Sequence, residues 1–593
     1  MPISRKCVTA FPSDGSVGAA GLGRGSGDVL APGAATCLGV EPRAREEPTV
    51  SYHRAMPTHD RPSRPTRPPV PEDFDARFAW HPEPELLGIR DPATARDSLR
   101  TLGAATWEVG LDYLYDHGLE RAMGPDTEFA ALRSRYFGRS GEPGQAPMEP
   151  TALAVLLDEF RERIAPNTVS AWHPRSFGYF TPPPLIASIV GEVLSQFAQQ
   201  GVDIFHAGPV AATMEEEVVR WLCDLLGYDR SSFGLLTSGG VMANFIGMAL
   251  MRDSHVPKVM SLDRPPRGAA LEGLRVYTGD QSHFSIGRAL DELGFPIETL
   301  VTVPADGDFR LRGGPVGAAI AADQARGLTP VAIAAVAGST NTGAVDAIGE
   351  LADLATREGL WLHIDAAYGA GARLSTRDAG RVPDLHRADS VTIDPHKWFF
   401  QAYDIGGLMV RDGAGLESVF GERRPEYYRA GHGTMAPTPT PDSYAAPDPH
   451  DVGLNFWKLG FEGTRRWRAL KLWFSWRHLG TPGFGRLIEA NNDLAAHLAA
   501  VIAASTDFEA LPAVPNLSVV CFRHLVSGLD AVALDEHQDH LQRDLEASGA
   551  GWVSTTRLRG STWLRAGILN TQATESDVEG LLETLRELAA VRG

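Results

Sequence analysis

The middle of the chain alternates between short apolar runs and segments in which apolar residues recur at helical spacing. Residues 331–336 and 361–364 are apolar runs of strand length, and residues 348–359 between them have helical spacing. Asp346 precedes this helical segment and is predicted to cap it. A strand, a helix and a second strand in this order form a βαβ unit, in which the two strands are parallel. The pattern therefore predicts an α/β fold.

Three further segments carry helical signals. Residues 214–226 form an amphipathic stretch that stops at Gly227, and residues 465–476 resume helical spacing. Near the end of the chain, Ser576 and Glu579 have the spacing of a capping box and precede a stripe of leucines. We therefore expect helices around the sheet and a last helix at the C-terminus.

In two long segments the apolar residues follow neither helical spacing nor a strand pattern. Residues 1–71 are rich in Gly, Ala, Pro, Ser and Arg, and such a composition cannot bury enough apolar surface to offset the entropy of ordering. Residues 423–453 contain six prolines, which exclude a continuous helix or a central strand. The first segment is predicted to be a disordered tail, and the second a long loop of the kind that closes over a site as a lid.

The composition narrows the choice of partners. The 593 residues contain 55 Lys and Arg against 74 Asp and Glu, a net charge of −19, and an acidic chain repels nucleic acid and anionic membranes. No apolar run reaches the length of a membrane span, so we expect neither nucleic acid nor membrane as a partner. The four cysteines form no CxxC pair, which argues against a disulfide or metal framework. We therefore expect a cytoplasmic protein without a metal site.

The strongest chemical signal is a lysine among apolar and aromatic residues. Lys397 follows His396 and precedes Trp398, Phe399 and Phe400. Partial burial disfavours the ammonium and is expected to lower the pKa of Lys397, which leaves an amine able to form a Schiff base with an aldehyde. Taken alone, such a motif is more often a lysine whose stem packs on apolar surface while its charge reaches water.

Two further segments have the chemistry of a cofactor site. Asp365 follows an apolar run at the sheet edge where ligands bind, and a carboxylate there suits a cationic ring nitrogen. A turn or helix cap is nevertheless the commoner role for such an Asp. The turn 237–240 places glycines before an apolar run, a geometry that offers backbone N–H groups to phosphate, although an ordinary turn is again the commoner explanation.

A phosphate-binding turn, a ring-nitrogen acid and a Schiff-base lysine follow one another in the order and spacing of fold-type I pyridoxal phosphate enzymes. The chain resembles the group II amino-acid decarboxylases, the family of the aromatic-L-amino-acid and glutamate decarboxylases, from about residue 95 to residue 590. The matching segments are 173–175, 177–180, 281–285, 338–343, 363–369, 394–400 and 465–473. The resemblance implies an α/β fold with a mostly parallel seven-stranded sheet in a large domain, plus a smaller C-terminal α+β domain.

The resemblance also implies a division of the chain. After the tail of residues 1–71, residues 72–190 would form an N-terminal helical segment for dimer packing. Residues 191–480 would form the large cofactor-binding domain, and residues 481–593 the small domain. The expected assembly is a homodimer, because the active sites of the family lie between two subunits.

Transferred residue by residue, the resemblance implies a catalytic set. Lys397 would hold pyridoxal 5'-phosphate, Asp365 would partner its ring nitrogen, and His283 would stack on its ring. Thr340 would approach the ring, and His396 would lie beside the Schiff base. The residues expected to hold the phosphate are Ser390, Gly239, Gly240 and Val241.

The chain departs from the family's pattern at two residues. Val241 stands where many members have Ser or Thr, so one hydroxyl contact to phosphate is absent. In a gapless comparison, Phe456 stands where animal aromatic decarboxylases have a loop tyrosine that supplies a proton. Other tyrosines of the same loop are alternative donors, namely Tyr427, Tyr428 and Tyr444. If none serves, oxygen would intervene and the product would be an aldehyde.

The substrate class is predicted from one short segment. Tyr179, Phe180 and Thr181 match the substrate pocket of the family, and a mostly apolar lining favours an uncharged side chain. Packing at a dimer interface would explain the same residues equally well. The resemblance thus implies decarboxylation of an aromatic or branched aliphatic L-amino acid to its amine and CO2. The alternatives are an oxidative aldehyde synthase, a catalytically silent pyridoxal phosphate-binding protein and a fold-type I aminotransferase.

Overall fold

A seven-stranded sheet forms the centre of the computed structural model, which describes residues 92–125, 129–136, 146, 151–421 and 453–592. The strands are β1 (Phe233–Thr237), β2 (Leu274–Gly279), β3 (Leu300–Val303), β4 (Thr329–Val336), β5 (Trp361–Asp365), β6 (Ser390–Ile393) and β7 (Gly406–Val410). Their spatial order is β1-β7-β6-β5-β4-β2-β3. Strand β7 pairs antiparallel with β1 and β6, and every other pair is parallel. The expected mostly parallel sheet is confirmed.

A smaller, antiparallel sheet follows in the C-terminal part of the chain. Its strands are β8 (Phe508–Ala510), β9 (Val519–His524), β10 (Ser554–Leu558) and β11 (Ser561–Gly567), in the spatial order β10-β11-β9-β8. The first sheet lies within the range 191–480 and the second within 481–593. The small α+β domain is thereby confirmed, while the domain boundaries stay a prediction.

The described residues form fourteen α-helices. They are α1 (Pro92–Asp112), α2 (Phe129–Tyr136), α3 (Leu153–Glu159), α4 (Ile186–Ala198), α5 (Pro209–Leu226), α6 (Gly240–Leu250), α7 (Val256–Met260), α8 (Ser285–Glu292), α9 (Gly313–Ala325), α10 (Ile348–Glu358), α11 (Ala414–Phe420), α12 (Ala469–Ala504), α13 (Ala531–Ser548) and α14 (Glu575–Arg592). Among these helices, none is long and apolar enough to cross a bilayer.

The predicted βαβ unit is confirmed as β4, α10 and β5, and the two strands pair in parallel. The prediction that Asp346 caps α10 is wrong. The buried carboxylate of Asp346 instead accepts the backbone N–H groups of Leu311 and Val336, each at 2.7 Å. Asp346 therefore connects the segment before α9 to the end of β4, a contact that local spacing does not reveal.

The three other predicted helices are present, but their first or last residues differ from the predicted ones. Helix α5 stops at Gly227, whose φ of 83° is the left-handed conformation that glycine accepts readily. Helix α12 bends at Gly480, where φ is 63°. Helix α14 begins near Thr574 rather than at the predicted capping box, because the side chain of Asp577 accepts the Thr574 N–H at 2.9 Å and its hydroxyl at 2.6 Å.

The buried core surrounds the larger sheet. Strand β4 is buried from its second residue onward, and strands β1, β6 and β7 are buried throughout. A second apolar cluster lies under the small sheet, against α12, α13 and α14. The predicted tail of residues 1–71, and the 423–453 loop up to residue 452, lie outside the described residues, so both stay predictions.

Candidate active site

A cavity of about 420 Å³ opens at the carboxyl edge of the larger sheet, where a ligand site is expected in such folds. Segments that follow β1, β2, β4, β5 and β6 contribute to it, together with residue 180 of the N-terminal part. Its lining residues are Phe180, Ser238, Gly239, Gly240, Val241, Met242, Asn244, His283, Phe284, Val336, Gly338, Thr340, Asp365, Ala367, Tyr368, Asp394, His396 and Lys397. The structure thus brings together all five residues expected to be catalytic.

Lys397 lies just after β6, and its partner is a neighbouring carboxylate. Its Nζ is 3.0 Å from Oδ2 of Asp394. Burial disfavours the ammonium, but the carboxylates of Asp394 and Asp365 outweigh it and raise the pKa of Lys397. The expectation of a lowered pKa was therefore wrong for the chain without a bound ligand, because the apolar neighbours in sequence are not the groups nearest the amine.

Asp365 is the last residue of β5 and is almost fully buried. Its Oδ1 accepts the backbone N–H of Ala367 at 3.1 Å, and its Oδ2 accepts Nδ2 of Asn244 at 2.8 Å. Two fixed donors hold the carboxylate at the cavity wall. A carboxylate held in this way can keep a proton on a ring nitrogen.

The glycine turn after β1 passes very close to the lysine's counterion. A Cβ on Gly240 would lie 2.8 Å from Oδ2 of Asp394, and a Cβ on Gly406 would lie 2.5 Å from Cα of Gly239. Close approach, not a special φ, therefore requires glycine at these positions. The turn leads into α6, and the N–H groups of a helix's first turn lack intrahelical partners, so they can bind phosphate. Val241 belongs to this turn and adds its backbone N–H, though no hydroxyl.

Two histidines line the same cavity. His283 precedes α8, and its Nδ1 is 2.8 Å from the hydroxyl of Ser285. His396 precedes Lys397; its Nδ1 accepts the N–H of Ile405 at 3.3 Å. Burial is the largest cause that lowers the pKa of each imidazole. In each ring Nδ1 accepts a backbone N–H, from Ser285 in His283 and from Ile405 in His396, which is the arrangement of a neutral imidazole.

Ser390 is not brought to the cavity. It is the first residue of β6, at the opposite end of the strand from Lys397, and it is fully buried. Its hydroxyl lies 2.8 Å from Nδ1 of His363 and accepts Nε1–H of Trp361 at 3.0 Å. The expected contact of Ser390 with phosphate does not fit this position, since the phosphate turn lies at the carboxyl ends of the strands.

The three residues of the expected substrate segment lie in different surroundings. Phe180 lines the cavity, and its ring stacks on Tyr368 with the centroids 4.2 Å apart. Tyr179 is 62% exposed and packs edge-on against Trp552. The Thr181 hydroxyl lies 3.3 Å from the hydroxyl of Tyr403. Of the three, only Phe180 belongs to the cavity wall described here.

Phe456 does not lie at the cavity. It is fully buried in the large core, where the guanidinium of Arg465 lies 5.0 Å from its ring centroid. The gapless comparison that put Phe456 in a proton-donating position is therefore not supported by its place in the fold. The alternative donors of the loop, Tyr427, Tyr428 and Tyr444, lie outside the described residues.

Three residues at the site were not predicted from the sequence. Asp394 stood next to the lysine motif and could have been found from its charge alone. Asn244 lies in the first turns of α6, one helical turn after the glycine loop. Arg565 of β11 donates from Nε to the carbonyl of Thr340 at 2.7 Å, and its guanidinium lies 4.5 Å from the Phe180 centroid. Nothing local in the sequence marks Arg565, because only the tertiary fold brings it there.

These features together fit pyridoxal phosphate. The cavity offers an amine on Lys397, a carboxylate on Asp365 and a helix N-terminus behind a glycine turn. Oδ2 of Asp394 faces the amine of Lys397 and the glycine turn, so the amine and the turn both lie next to one carboxylate oxygen. The amine, the acid and the phosphate turn all face a single cavity, as the cofactor requires.

Known proteins share both the sequence and the fold. The sequence pattern described as the pyridoxal-dependent decarboxylase conserved domain matches residues 138–525. The aromatic-L-amino-acid decarboxylase of Bacillus atrophaeus is 30% identical, over 83% of this chain and 96% of that protein. The phenylacetaldehyde synthase of Petunia hybrida is 27% identical, over 72% of this chain and 82% of that protein.

A solved structure adds the three-dimensional likeness. The glutamate decarboxylase domain of diaminobutyrate-pyruvate transaminase and L-2,4-diaminobutyrate decarboxylase from Vibrio parahaemolyticus superposes with a TM-score of 0.70. It is 25% identical, and the match covers 83% of this chain and 96% of that chain. The chain therefore belongs to the pyridoxal-dependent decarboxylase family, and it is an amino-acid carboxy-lyase that uses pyridoxal 5'-phosphate.

Proposed function

We propose that the enzyme decarboxylates an uncharged L-amino acid, aromatic or branched aliphatic, to its amine and CO2. The observation that carries this proposal is the aromatic wall of the cavity, in which Phe180 stacks on Tyr368. An unpaired carboxylate or ammonium of a substrate side chain against such a wall would lose its hydration without compensation. An apolar side chain would instead gain from being buried there.

Each residue of the cavity has a separate role in the proposed reaction. Bound pyridoxal phosphate supplies an electron-withdrawing ring that accepts the electron pair left behind when CO2 departs. Lys397 would hold the cofactor through its amine, and the same amine would serve in release of the product. Asp394 accepts and returns the proton of that amine, since its Oδ2 is 3.0 Å away. Asp365 keeps the ring nitrogen protonated, and the turn of Gly239 and Gly240 binds the phosphate with Val241.

Other side chains shape the place where the substrate reacts. His283 and His396 lie on the cavity wall, and Nδ1 of each ring accepts a backbone N–H. Arg565 fixes the backbone at Thr340 and packs against Phe180, so β11 of the small sheet supports the aromatic wall. We expect replacement of Arg565 to alter which side chains are accepted, because the Phe180 ring would lose one of its supports.

We propose a homodimer as the working assembly. Helix α4 carries exposed apolar side chains at Ile186, Val193 and Phe197, which are 53%, 41% and 80% exposed. Their spacing puts them on one side of the helix, and a second copy of the chain would remove that surface from water. Light scattering should give twice the chain mass for the purified enzyme and a monomer for Phe197→Glu. Val591→Glu is the control, because Val591 is also exposed but lies at the end of α14.

A cytoplasmic location stays a prediction.

The second candidate is oxidative decarboxylation to an aldehyde. The observation that favours it is the burial of Phe456, which removes one expected proton donor from the site, and a phenylacetaldehyde synthase is among the relatives. In that reaction the amino acid, O2 and water give the aldehyde, CO2, ammonia and hydrogen peroxide. The two candidates differ in their products and not in their first bond cleavage.

A substrate panel tests both candidates. Purified enzyme with bound cofactor should be incubated with each proteinogenic amino acid, and CO2, amine, aldehyde and peroxide should be measured. We expect CO2 and amine in equal amounts from an aromatic or branched aliphatic substrate. Preference for a charged amino acid would contradict the substrate class, and aldehyde with peroxide as the main products would establish the second candidate.

The loop tyrosines can be tested in the same assay. We expect one of Tyr427→Phe, Tyr428→Phe and Tyr444→Phe to lower the amine yield and raise aldehyde and peroxide, while the cofactor absorbance stays unchanged. The loss of a phenolic proton donor would leave the reacting carbon unprotonated for longer. If all three variants keep the amine yield of the wild type, the proton comes from another group, with His283 the next to test.

A further inference from the structure

Both polar atoms of the Asn244 amide take part in a buried hydrogen-bond network at the cavity. The side chain is 1% exposed. Its Nδ2 donates to Oδ2 of Asp365 and to the hydroxyl of Ser285, both at 2.8 Å. Its Oδ1 accepts the hydroxyl of Thr392 at 2.6 Å and lies 2.9 Å from Nε2 of His363. The amide therefore connects the ring-nitrogen acid to the segment that carries His283.

The direction of each bond around Ser285 follows from the carboxylate. An ionised carboxylate only accepts hydrogen bonds, so the Asn244 atom that faces Asp365 must be the NH2 group. The second hydrogen of that group points to the Ser285 oxygen, which therefore accepts. The single hydroxyl hydrogen of Ser285 is left for Nδ1 of His283, at 2.8 Å. The backbone N–H of Ser285 also points to this Nδ1, at 3.3 Å.

The other end of the network has the same polarity. The indole of Trp361 can only donate, and it donates to the hydroxyl of Ser390. The Ser390 hydroxyl then donates to Nδ1 of His363, which leaves the Nε2–H of His363 to donate to Oδ1 of Asn244. Burial, the largest cause, lowers the pKa of His363 to about 4, so this ring stays neutral. Donors and acceptors are therefore matched along the whole path.

We propose that Ser285 and Asn244 are positioning residues that fix His283 as the neutral tautomer with its proton on Nε2. Two donors converge on Nδ1 of His283, so that nitrogen carries no hydrogen, and Nε2–H is the polar hydrogen that the ring can offer to a ligand in the cavity. The same amide orients Asp365. The inference rests on the proposed function only for the identity of the ligand, because the network itself lies in the protein.

The charged groups around His283 determine how strongly this state is held. Asp365 and Asp394 favour a protonated ring, whereas Lys397 and Arg288 disfavour it. Protonation would also put a hydrogen on Nδ1, opposite the two donors of Ser285. Removal of the Ser285 hydroxyl would relieve that conflict in part. The pKa of His283 should then rise by about one unit, the size expected for one buried hydrogen bond.

The test is a pH titration of the bound cofactor's absorbance, from pH 5 to pH 9, in the intact enzyme. We expect the acid-side titration step of Ser285→Ala to lie at higher pH than that of the wild type, and we expect this step to disappear when His283→Asn is combined with Ser285→Ala. Ser285→Thr should restore the wild-type curve, because it restores the hydroxyl. Ser475→Ala is the matched control, since it removes a buried hydroxyl that bonds to Gln401, outside this network.

A second variant reverses the network instead of cutting it. In Asn244→Asp the oxygen that replaces Nδ2 has at most one hydrogen, which it would share with the facing carboxylate of Asp365. Ser285 would then donate to this oxygen instead of accepting from it, and Nδ1 of His283 would carry the hydrogen of its contact with Ser285. We expect the acid-side step of this variant to move further to higher pH than that of Ser285→Ala, and this variant replaces Ser285→Ala if the latter fails to retain cofactor. Wild-type titration curves in both variants would overturn the proposal. Absence of decarboxylation in the substrate panel would contradict the proposed function but would leave this spectroscopic result standing.

Discussion

The two sides of the cavity are held by different kinds of interaction. On one side, Lys397 and Asp394 form a charged pair, and one carboxylate oxygen of Asp394 remains without a hydrogen-bond partner among the described residues. On the other side, Asp365 is held by the amide of Asn244 in a network whose bonds each have a fixed direction. The first interaction joins two charged groups, whereas a change in the second disturbs several bonds at once.

This difference matches what each side has to do in the proposed reaction. In the proposed function the amine of Lys397 would both hold the cofactor and serve in product release, so a counterion that can accept and release a proton would suit it. The acid at Asp365 must keep its position throughout. A neutral, directional network suits that task, because it holds the carboxylate without offering a competing charge.

The largest expected effect comes from removing the amine on the charged side. Lys397→Ala should lose covalent attachment of the cofactor and about 10³-fold or more of the decarboxylation rate, since no other lysine of the described residues lines the cavity. Borohydride reduction followed by peptide mapping should label Lys397 in the wild type and nothing in the variant. Lys258→Ala is a suitable control, because Lys258 is exposed and remote from the cavity lining. Labelling of another lysine in the wild type would refute the assignment.

Asp365→Asn changes the hydrogen-bond network around Asn244 while it keeps the size and shape of the side chain. The variant should still bind cofactor but lose about 10²-fold in rate, because a neutral amide cannot keep the ring nitrogen protonated. Absorbance of the bound cofactor and the rate of CO2 release would be measured on the same preparation. Turnover close to that of the wild type would mean that Asp365 has only a structural role.

Asp394→Asn tests the charged pair through its pH dependence. Asp394 helps to raise the pKa of Lys397, so its removal should lower that pKa and increase the fraction of neutral amine at a given pH. The rate at which cofactor-free enzyme takes up pyridoxal phosphate should then reach its plateau about one pH unit lower than in the wild type. A profile that stays in place, or moves to higher pH, would show that Asp394 does not control the amine.

The smallest effect is expected from the N-terminal tail. A chain that begins at Met56 or just after Pro71 should fold, form the same assembly and retain activity, because the composition of residues 1–71 cannot build a core. Both sides of the cavity should respond to their substitutions in the shortened chain as they do in the full one. Loss of cofactor binding after the truncation would assign the tail a structural role.

The sequence was most informative where chemistry follows a strand directly. Asp365 and Lys397 each come shortly after an apolar run, and parallel strands bring such residues to one edge. Ser390 shows the limit of this reasoning, because it belongs to the same run as Lys397 but lies at the strand's other end. Proximity in sequence does not specify which end of a strand a side chain occupies.

Contacts between distant segments could not be predicted. Asp346 satisfies the backbone at Leu311, which is far away in sequence, so its resemblance to a helix cap was misleading. Arg565 reaches Thr340 from the small sheet, and no local pattern announces it. The sign of the pKa shift of Lys397 was missed for a different reason, since Asp394 was visible in the motif but its carboxylate was not considered as a counterion.

The close packing around Gly406 has a consequence for the mutational tolerance of the enzyme. Gly406 begins the antiparallel strand β7 and pairs with Thr237, and any Cβ there would meet both Cα of Gly239 and, at 2.7 Å, Oδ1 of Asp394. A side chain at position 406 would thus displace the phosphate turn and the lysine's counterion together. In a saturation library, this position, which carries no reactive group, should tolerate as little variation as the lysine itself.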